Sequence, residues 1–167
     1  MLEVYVLAPV KKTAGAKVAG GIVLALAVVC LLAACMAGGV ILLPVGVVGA
    51  VAGYMLMGYS KEFEYSYFDG EARFAKVLNK SRRKSLGTYP MADVIQIAPA
   101  GDRSVSRYEN PGNAKVLDYT SHDKDKPYYD MVVQKDGETL LIKFEPDEKY
   151  LEAVEYKYRQ KVIRRMA

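Results

Sequence analysis

The hydrophobic positions of this chain fall into three patterns, and each predicts a different kind of element. The first has no period at all. From Val18 to Ser60 there is no Asp, Glu, Lys, Arg or His, and apolar residues dominate. A hydrocarbon layer about 30 Å thick takes roughly 20 helical residues, each rising about 1.5 Å. The stretch from Val18 to Met57 has about twice the length of one crossing, room for two helices back to back. Gly38-Gly39 and Pro44 interrupt it, so a tight turn is expected between Ala37 and Pro44, with one helix near Val18 to Met36 and another near Val40 to Gly58.

The second pattern is alternation, and it begins at Lys61. Phe63, Tyr65 and Tyr67 alternate with Glu62, Glu64 and Ser66, the signature of a half-buried strand. Asp69-Gly70 follows as a two-residue hairpin turn, because Gly accepts the positive φ of a type I′ turn. A return strand is expected near Ala72 to Leu78, then strands near Arg83 to Tyr89, Asp93 to Ala98 and Lys115 to Thr120. A second hairpin pairs Tyr128 to Lys135 with Glu138 to Glu145 around Asp136-Gly137. The segment from Gly101 to Ala114 reads as a long loop or a short inserted helix.

The third pattern is helical. Past Pro146, the residues Leu151, Val154, Tyr158 and Val162 recur at three- and four-residue spacing and make one apolar stripe. Asp147 and Glu148 suit the positive end of that helix, and Arg159, Lys161, Arg164 and Arg165 its negative end.

Charge adds an orientation. Lys11, Lys12 and Lys17 precede the apolar run, while Lys61, Arg73, Lys76, Lys80, Arg82, Arg83 and Lys84 follow it. Basic flanks stay on the cytoplasmic side, which implies a cell-membrane protein with two spans and both termini cytoplasmic. Tyr59, at the helix exit, fits the interfacial aromatic belt. The expected organisation is an N-terminal cytoplasmic or interfacial segment over residues 1–17, a transmembrane helical hairpin over 18–59, and a soluble domain over 61–167.

Two other readings of the apolar run stand beside this one. Leu32-Ala33-Ala34-Cys35 has the form of a lipoprotein processing site, although Cys35 leads into further apolar sequence rather than a polar linker. Cleavage at Cys35 would reverse the topology. A buried core hairpin of a soluble domain is the other, against the unusual length of the charge-free run. Cys30 and Cys35 lie on different faces of one helix, so neither a disulfide nor a metal site is indicated.

Seven short strands followed by one amphipathic helix describe an α+β fold: a transmembrane helical hairpin followed by an antiparallel β barrel or sandwich whose open end the helix closes. In this order, and in Glu3-Val4-Tyr5, Val10-Lys11-Lys12, Glu62-Phe63-Glu64-Tyr65-Ser66-Tyr67, Asp69-Gly70 and the basic run from Lys76 to Lys84, the chain resembles a family of small bacterial membrane proteins. Those proteins carry two adjacent transmembrane helices and a cytoplasmic pleckstrin-homology-like (PH-like) domain. The resemblance implies that fold and brings no catalytic residues with it.

The densest chemical feature is Lys80, Arg82, Arg83 and Lys84, read here as a lipid- or anion-binding cluster at the inner leaflet, against the plainer reading of a solvated basic loop. Gly21 and Ala25 in the first helix and Gly49 and Gly53 in the second have the four-residue spacing that lets helices approach closely, within the hairpin, in a homodimer or against another membrane protein. No charged residue inside the spans points to a proton or ion pathway. Of 23 basic residues three, and of 19 acidic residues one, precede Lys61, so the soluble part is close to balance and does not suit nucleic acid.

His122 is the single histidine, and Ser121-His122-Asp123, being consecutive, cannot converge as a catalytic triad. No cofactor, metal or catalytic residue is expected. Of 13 tyrosines only Tyr5 and Tyr54 precede Tyr59; Tyr65, Tyr67, Tyr128 and Tyr129 suit sheet faces with their hydroxyls in water. The expected function is a non-enzymatic, membrane-anchored module that binds a protein partner or anionic membrane lipids. The alternative is a structural subunit of a membrane complex that works through its hairpin.

Overall fold

The computed structural model describes residues 3–10, 14–37, 42–58 and 61–165. The Gly38-Gly39 turn, the Lys11-Lys12 pair and Tyr59 lie outside the described residues. The chain divides into two compact units: the residues up to Val10 together with those from Lys61 onward, and the residues between.

The intervening unit is a pair of helices, α1 (Ala14–Ala37) and α2 (Leu42–Gly58). Pro44 falls in the first turn of α2, where the missing N–H has no intrahelical partner to lose. The helices run antiparallel, with glycines of α2 taking the close approaches. A Cβ on Gly53 would stand 3.0 Å from the Leu24 backbone nitrogen and 3.2 Å from the Gly20 carbonyl oxygen, and one on Gly49 would meet the Ala27 Cβ at 3.2 Å. Elsewhere the pair is uncovered: only 17% of the window Lys17–Met36 is buried. A helix in the core of a soluble domain is covered on most sides; α1 is not.

The expectation of two spans is met in one helix. At about 1.5 Å per residue, the 24 residues of α1 rise about 36 Å, whereas the 17 of α2 rise about 25 Å, short of the hydrocarbon thickness. Lys17–Met36 is the one described helical segment long and apolar enough to cross a membrane by itself.

The other unit contains eight strands in two four-stranded sheets. The first sheet has the order β1 (Val4–Pro9), β2 (Lys61–Phe68), β3 (Glu71–Leu78), β4 (Arg82–Pro90), antiparallel throughout. β1 corrects the expected organisation. Residues 4–9 are not a separate segment but the edge strand of the β domain, with Val4, Val6 and Ala8 turned to the core. The helical pair is therefore an insertion into the β1–β2 connection.

The second sheet has the order β5 (Val94–Pro99), β7 (Tyr129–Lys135), β8 (Glu138–Phe144), β6 (Lys115–Asp118). A fully antiparallel domain was expected, but β6 pairs with β8 in parallel, because the β7–β8 hairpin separates β6 in sequence from the edge it joins. No closed barrel forms: the sheets keep their own edges. Asp69-Gly70 and Asp136-Gly137 take positive φ as type I′ turns require, and so do Asn79 and Lys80 between β3 and β4.

Between the sheets lies an aromatic core in which Tyr65, Phe74, Phe144 and Tyr150 meet edge to face or tilted, with centroids 5.6–5.7 Å apart. This accounts for much of the tyrosine excess. Tyr65 is fully buried, not turned to water, and its hydroxyl donates to the Tyr119 carbonyl. Burial pushes the Tyr119 phenol up to about 12.

α4 (Glu148–Tyr158) closes the domain, burying Tyr150, Leu151, Ala153 and Val154. Asp147 caps it by accepting from the Tyr150 N–H at 2.8 Å. The basic residues expected at its negative end lie beyond it, in the 3₁₀ turn Arg159–Lys161 and the tail. There Lys161 donates instead to the carbonyls of Met91 and Val94, and Val162 bridges to Ile97 on the open edge of β5.

Candidate functional site

One end of the first sheet gathers the chemistry. β1 ends and β2 begins there, held by the Val10 N–H donating to the Lys61 carbonyl at 2.9 Å. Leu78 pairs with both Lys61 and Arg82, and Lys76 pairs with both Phe63 and Lys84. Since paired residues share a face and strands lie about 4.8 Å apart, Lys61, Lys76, Arg82 and Lys84 surround Leu78 on one face, within roughly 10 Å across. Lys80 stands in the turn at the same end. Among the described residues, none of these five cations forms an ion pair.

Arg83 differs from its neighbours. Alternation turns it to the opposite face, where it pairs with Glu64, a carboxylate with 3% of its side chain exposed. The Tyr5 hydroxyl donates to the other Glu64 oxygen at 3.2 Å. Three strands are thus tied through one buried carboxylate. Of the four cations singled out from sequence, the cluster around Leu78 keeps Arg82 and Lys84, loses Arg83 to the fold, and gains Lys61 and Lys76, while Lys80 stands in the turn and lines a cleft on the other face. The missed signal was period two: residues 82 and 84 share a face that 83 cannot. On the Arg83 face, Tyr5, Leu7, Pro9, Glu62, Val77 and Lys80 line an open cleft of about 440 Å³.

The four small residues chosen in the helices are placed unequally. Gly49 and Gly53 lie against Ala27, Leu24 and Gly20. Gly21 has open space where a Cβ would stand, and Ala25 is exposed, so the α1 face in the pair is Gly20, Leu24, Ala27 and Leu31. In a helix apolar all round, no amphipathic signal tells one face from another.

Ser121, in the Ser121-His122-Asp123 stretch, ties its loop to the residue that follows β8. Ser121 Oγ donates to Glu145 at 2.7 Å, while His122 Nδ1 lies 3.3 Å from Thr120 Oγ1 and 3.6 Å from Asp118. Among the described residues, no group of three or more His, Cys, Asp and Glu side chains is placed to hold a metal ion.

A buried carboxyl group went unnoticed in the sequence. Asp130, on β7, is fully buried, and neither of its oxygens has a donor among the described residues. Glu109, on the short helix α3 (Ser106–Glu109), accepts the Gly101 N–H at 2.8 Å. Desolvation first, and the proximity of Glu109 second, push Asp130 up to about 7, while Asp130 and the Gly101 N–H hold Glu109 below the usual carboxylate range.

Two sheets enclosing an aromatic core and a C-terminal helix across their open end define a PH-like domain. The chain belongs to the bacterial PH-like domain family DUF6106, whose family model matches residues 2–164, from ahead of β1 through the helices to the tail. Comparison with curated proteins and with solved structures gives no match.

Proposed function

We propose that this protein is a non-enzymatic binding module of the inner membrane surface, a PH-like domain anchored by the helical pair inserted between its first two strands. The observation that carries this reading is the pairing of β1 with β2. Two strands hydrogen-bonded along their length occupy one side of a bilayer. On this reading the apolar chain that departs at Val10 and re-enters at Lys61 returns to the side it left, which the pairing of the two strands supports. α1 is long enough to cross, and a shorter α2 returns with local thinning of the bilayer. The same pairing weighs against processing at Cys35, because cleavage there would remove β1 and take Val4, Val6 and Ala8 out of the core.

The ligand we assign is the anionic lipid surface. Lys61 stands three residues after Gly58, the last residue of α2, so with α2 in the bilayer Lys61 and its neighbours are within reach of headgroups. Cations near such a surface gain about 1 kcal/mol each. Lys76 directly across from Lys84 is a like-charge pair that costs stability in water and is relieved by an anion between them. Glu64 neutralises Arg83 on the other face and leaves this one without an acid among the residues around Leu78.

A second reading has one observation in its favour. Gly21 and Ala25 lie outside the intramolecular helix contact, which leaves them open to another membrane protein or a second copy. The test that separates the readings uses the full chain with Cys30 and Cys35 replaced by Ala and a spin label at Ser81→Cys, in nanodiscs. With anionic lipid the label loses mobility relative to neutral lipid, high salt restores it, and K76A/R82A/K84A abolishes the difference. Equal mobility in both lipids would remove the lipid assignment.

A further inference from the structure

A sheet edge presents unpaired N–H and C=O groups, and proteins guard such edges with charge, proline, brevity or cover. Three of the four edges in the described residues are guarded. β4 carries Arg82, Arg83, Lys84 and Pro90, and β6 is four residues long with Lys115 and Asp118 at its ends. The tail bridges to β5, where the Ile163 N–H donates to the Ile97 carbonyl at 2.8 Å. β1 is different. Its six residues, Val-Tyr-Val-Leu-Ala-Pro, hold no charge, and β2 is its one strand neighbour among the described residues.

The register says which groups face outward. The Val10 N–H donates to the Lys61 carbonyl, so alternation gives the backbone of Val4, Val6 and Ala8 to β2 and turns the N–H and C=O of Tyr5 and Leu7 away from it. Pro9 belongs to the outward set, where its missing N–H takes no bond from the β1–β2 ladder.

Two open clefts flank this edge. In the first, of about 510 Å³, Tyr5, Val6 and Leu7 share the lining with Lys126, Glu145 and Asp147. The second is the cleft that Tyr5 and Leu7 share with Pro9, Glu62, Val77 and Lys80. Val6 belongs to the core-facing set and Val77 to the outer face, so the clefts lie on the two sides of the edge. Their chemistry differs. The first has two carboxylates against one ammonium, and Glu145, 8% exposed, has an Oε2 that accepts no hydrogen bond, with the Lys126 ammonium 3.7 Å away. In the second, Glu62 and Lys80 balance and the remaining lining is Tyr5, Leu7, Pro9 and Val77.

We propose that the outward edge of β1 is a docking site for an extended segment of a partner protein, which joins the first sheet as a further strand and alternates Lys or Arg with apolar residues. Successive side chains of a strand point to opposite faces, and so into one cleft and then the other. Backbone pairing satisfies Tyr5 and Leu7, the basic side chains answer Glu145 and Asp147, and the apolar ones cover Val77 and the Tyr5 and Leu7 side chains, which stand 54% and 43% exposed.

The test is residue-resolved amide exchange of the full chain in zwitterionic detergent micelles, with a capped peptide of alternating Lys and Val, about eight residues long, as the probe. Saturating peptide should slow exchange at the Tyr5 and Leu7 amides by about tenfold or more, while Val4 and Val6, already bonded to β2, stay as they were. A fully N-methylated copy of the peptide should have no effect, and a peptide of alternating Glu and Val should protect far less. Glu145→Gln should narrow that preference for Lys. No protection at Tyr5 and Leu7, or equal protection by the Lys and Glu peptides, overturns the proposal. Protection that is present without peptide and grows with protein concentration overturns it too, since a second copy then holds the edge.

Discussion

α1 and α4 are both regular helices, yet they meet their surroundings in opposite ways. α4 buries Tyr150, Leu151, Ala153 and Val154 on one side and shows Lys149, Glu152 and Lys157 on the other, so its own domain satisfies its apolar stripe. α1 is apolar on every side, and its exposed residues include Val18, Ile22, Leu26, Val29 and Leu32. Packing against α2 covers one face only. The comparison teaches that the domain folds around its own core, whereas the inserted pair leaves apolar surface that water cannot solvate favourably, the property on which the proposed bilayer anchoring rests.

The largest effect expected from that contrast comes from placing one charge on each helix. Leu26→Arg puts a cation near the middle of α1 and costs about 3 kcal/mol of insertion on translocon-derived scales. The variant should move out of the membrane fraction. Glu152→Arg, on the exposed face of α4, should stay within about 0.5 kcal/mol of the parent in domain stability. Equal distribution of the Leu26→Arg variant and the parent between membrane and supernatant would break the comparison.

A smaller effect sharpens it within the basic run. Arg83→Ala leaves Glu64 buried with only the Tyr5 hydroxyl as partner, and should cost about 1–2 kcal/mol by thermal unfolding, a value reduced because Arg83 itself is well exposed. Arg82→Ala, one position away, should change stability by no more than about 0.5 kcal/mol and weaken the response to anionic lipid. The reverse ranking would mean that the two faces of β4 had been misassigned.

Much of the fold was legible from sequence because its patterns were local. All seven strands from β2 to β8 carried alternation or turn residues, and α4 carried its stripe and its cap. β1 did not. Val4, Val6 and Ala8 point inward, but Tyr5 and Leu7 on the outer side are apolar too, so the period was hidden, and its partner lies beyond the whole helical insertion. The parallel pairing of β6 was invisible for a similar reason, since nothing local records which edge a short strand joins.

The candidate site was half legible. Sequence located the basic turn, but not that Arg83 answers a carboxylate on β2, nor that Lys61 and Lys76 complete the other face. Asp130 and Glu109 are remote in sequence and differ in no local way from exposed carboxylates. Asp130 is set apart by burial on the sheet face where Val105 packs against Val132.

The central claim is that the apolar insertion begins and ends on one side of the membrane. It is tested most directly by single cysteines at Glu3→Cys and Arg165→Cys, each with Cys30 and Cys35 replaced by Ala, labelled with an impermeant maleimide in spheroplasts and in inverted membrane vesicles. The account predicts that both positions react in inverted vesicles and that neither reacts in spheroplasts. Labelling of the two positions from opposite sides would contradict it.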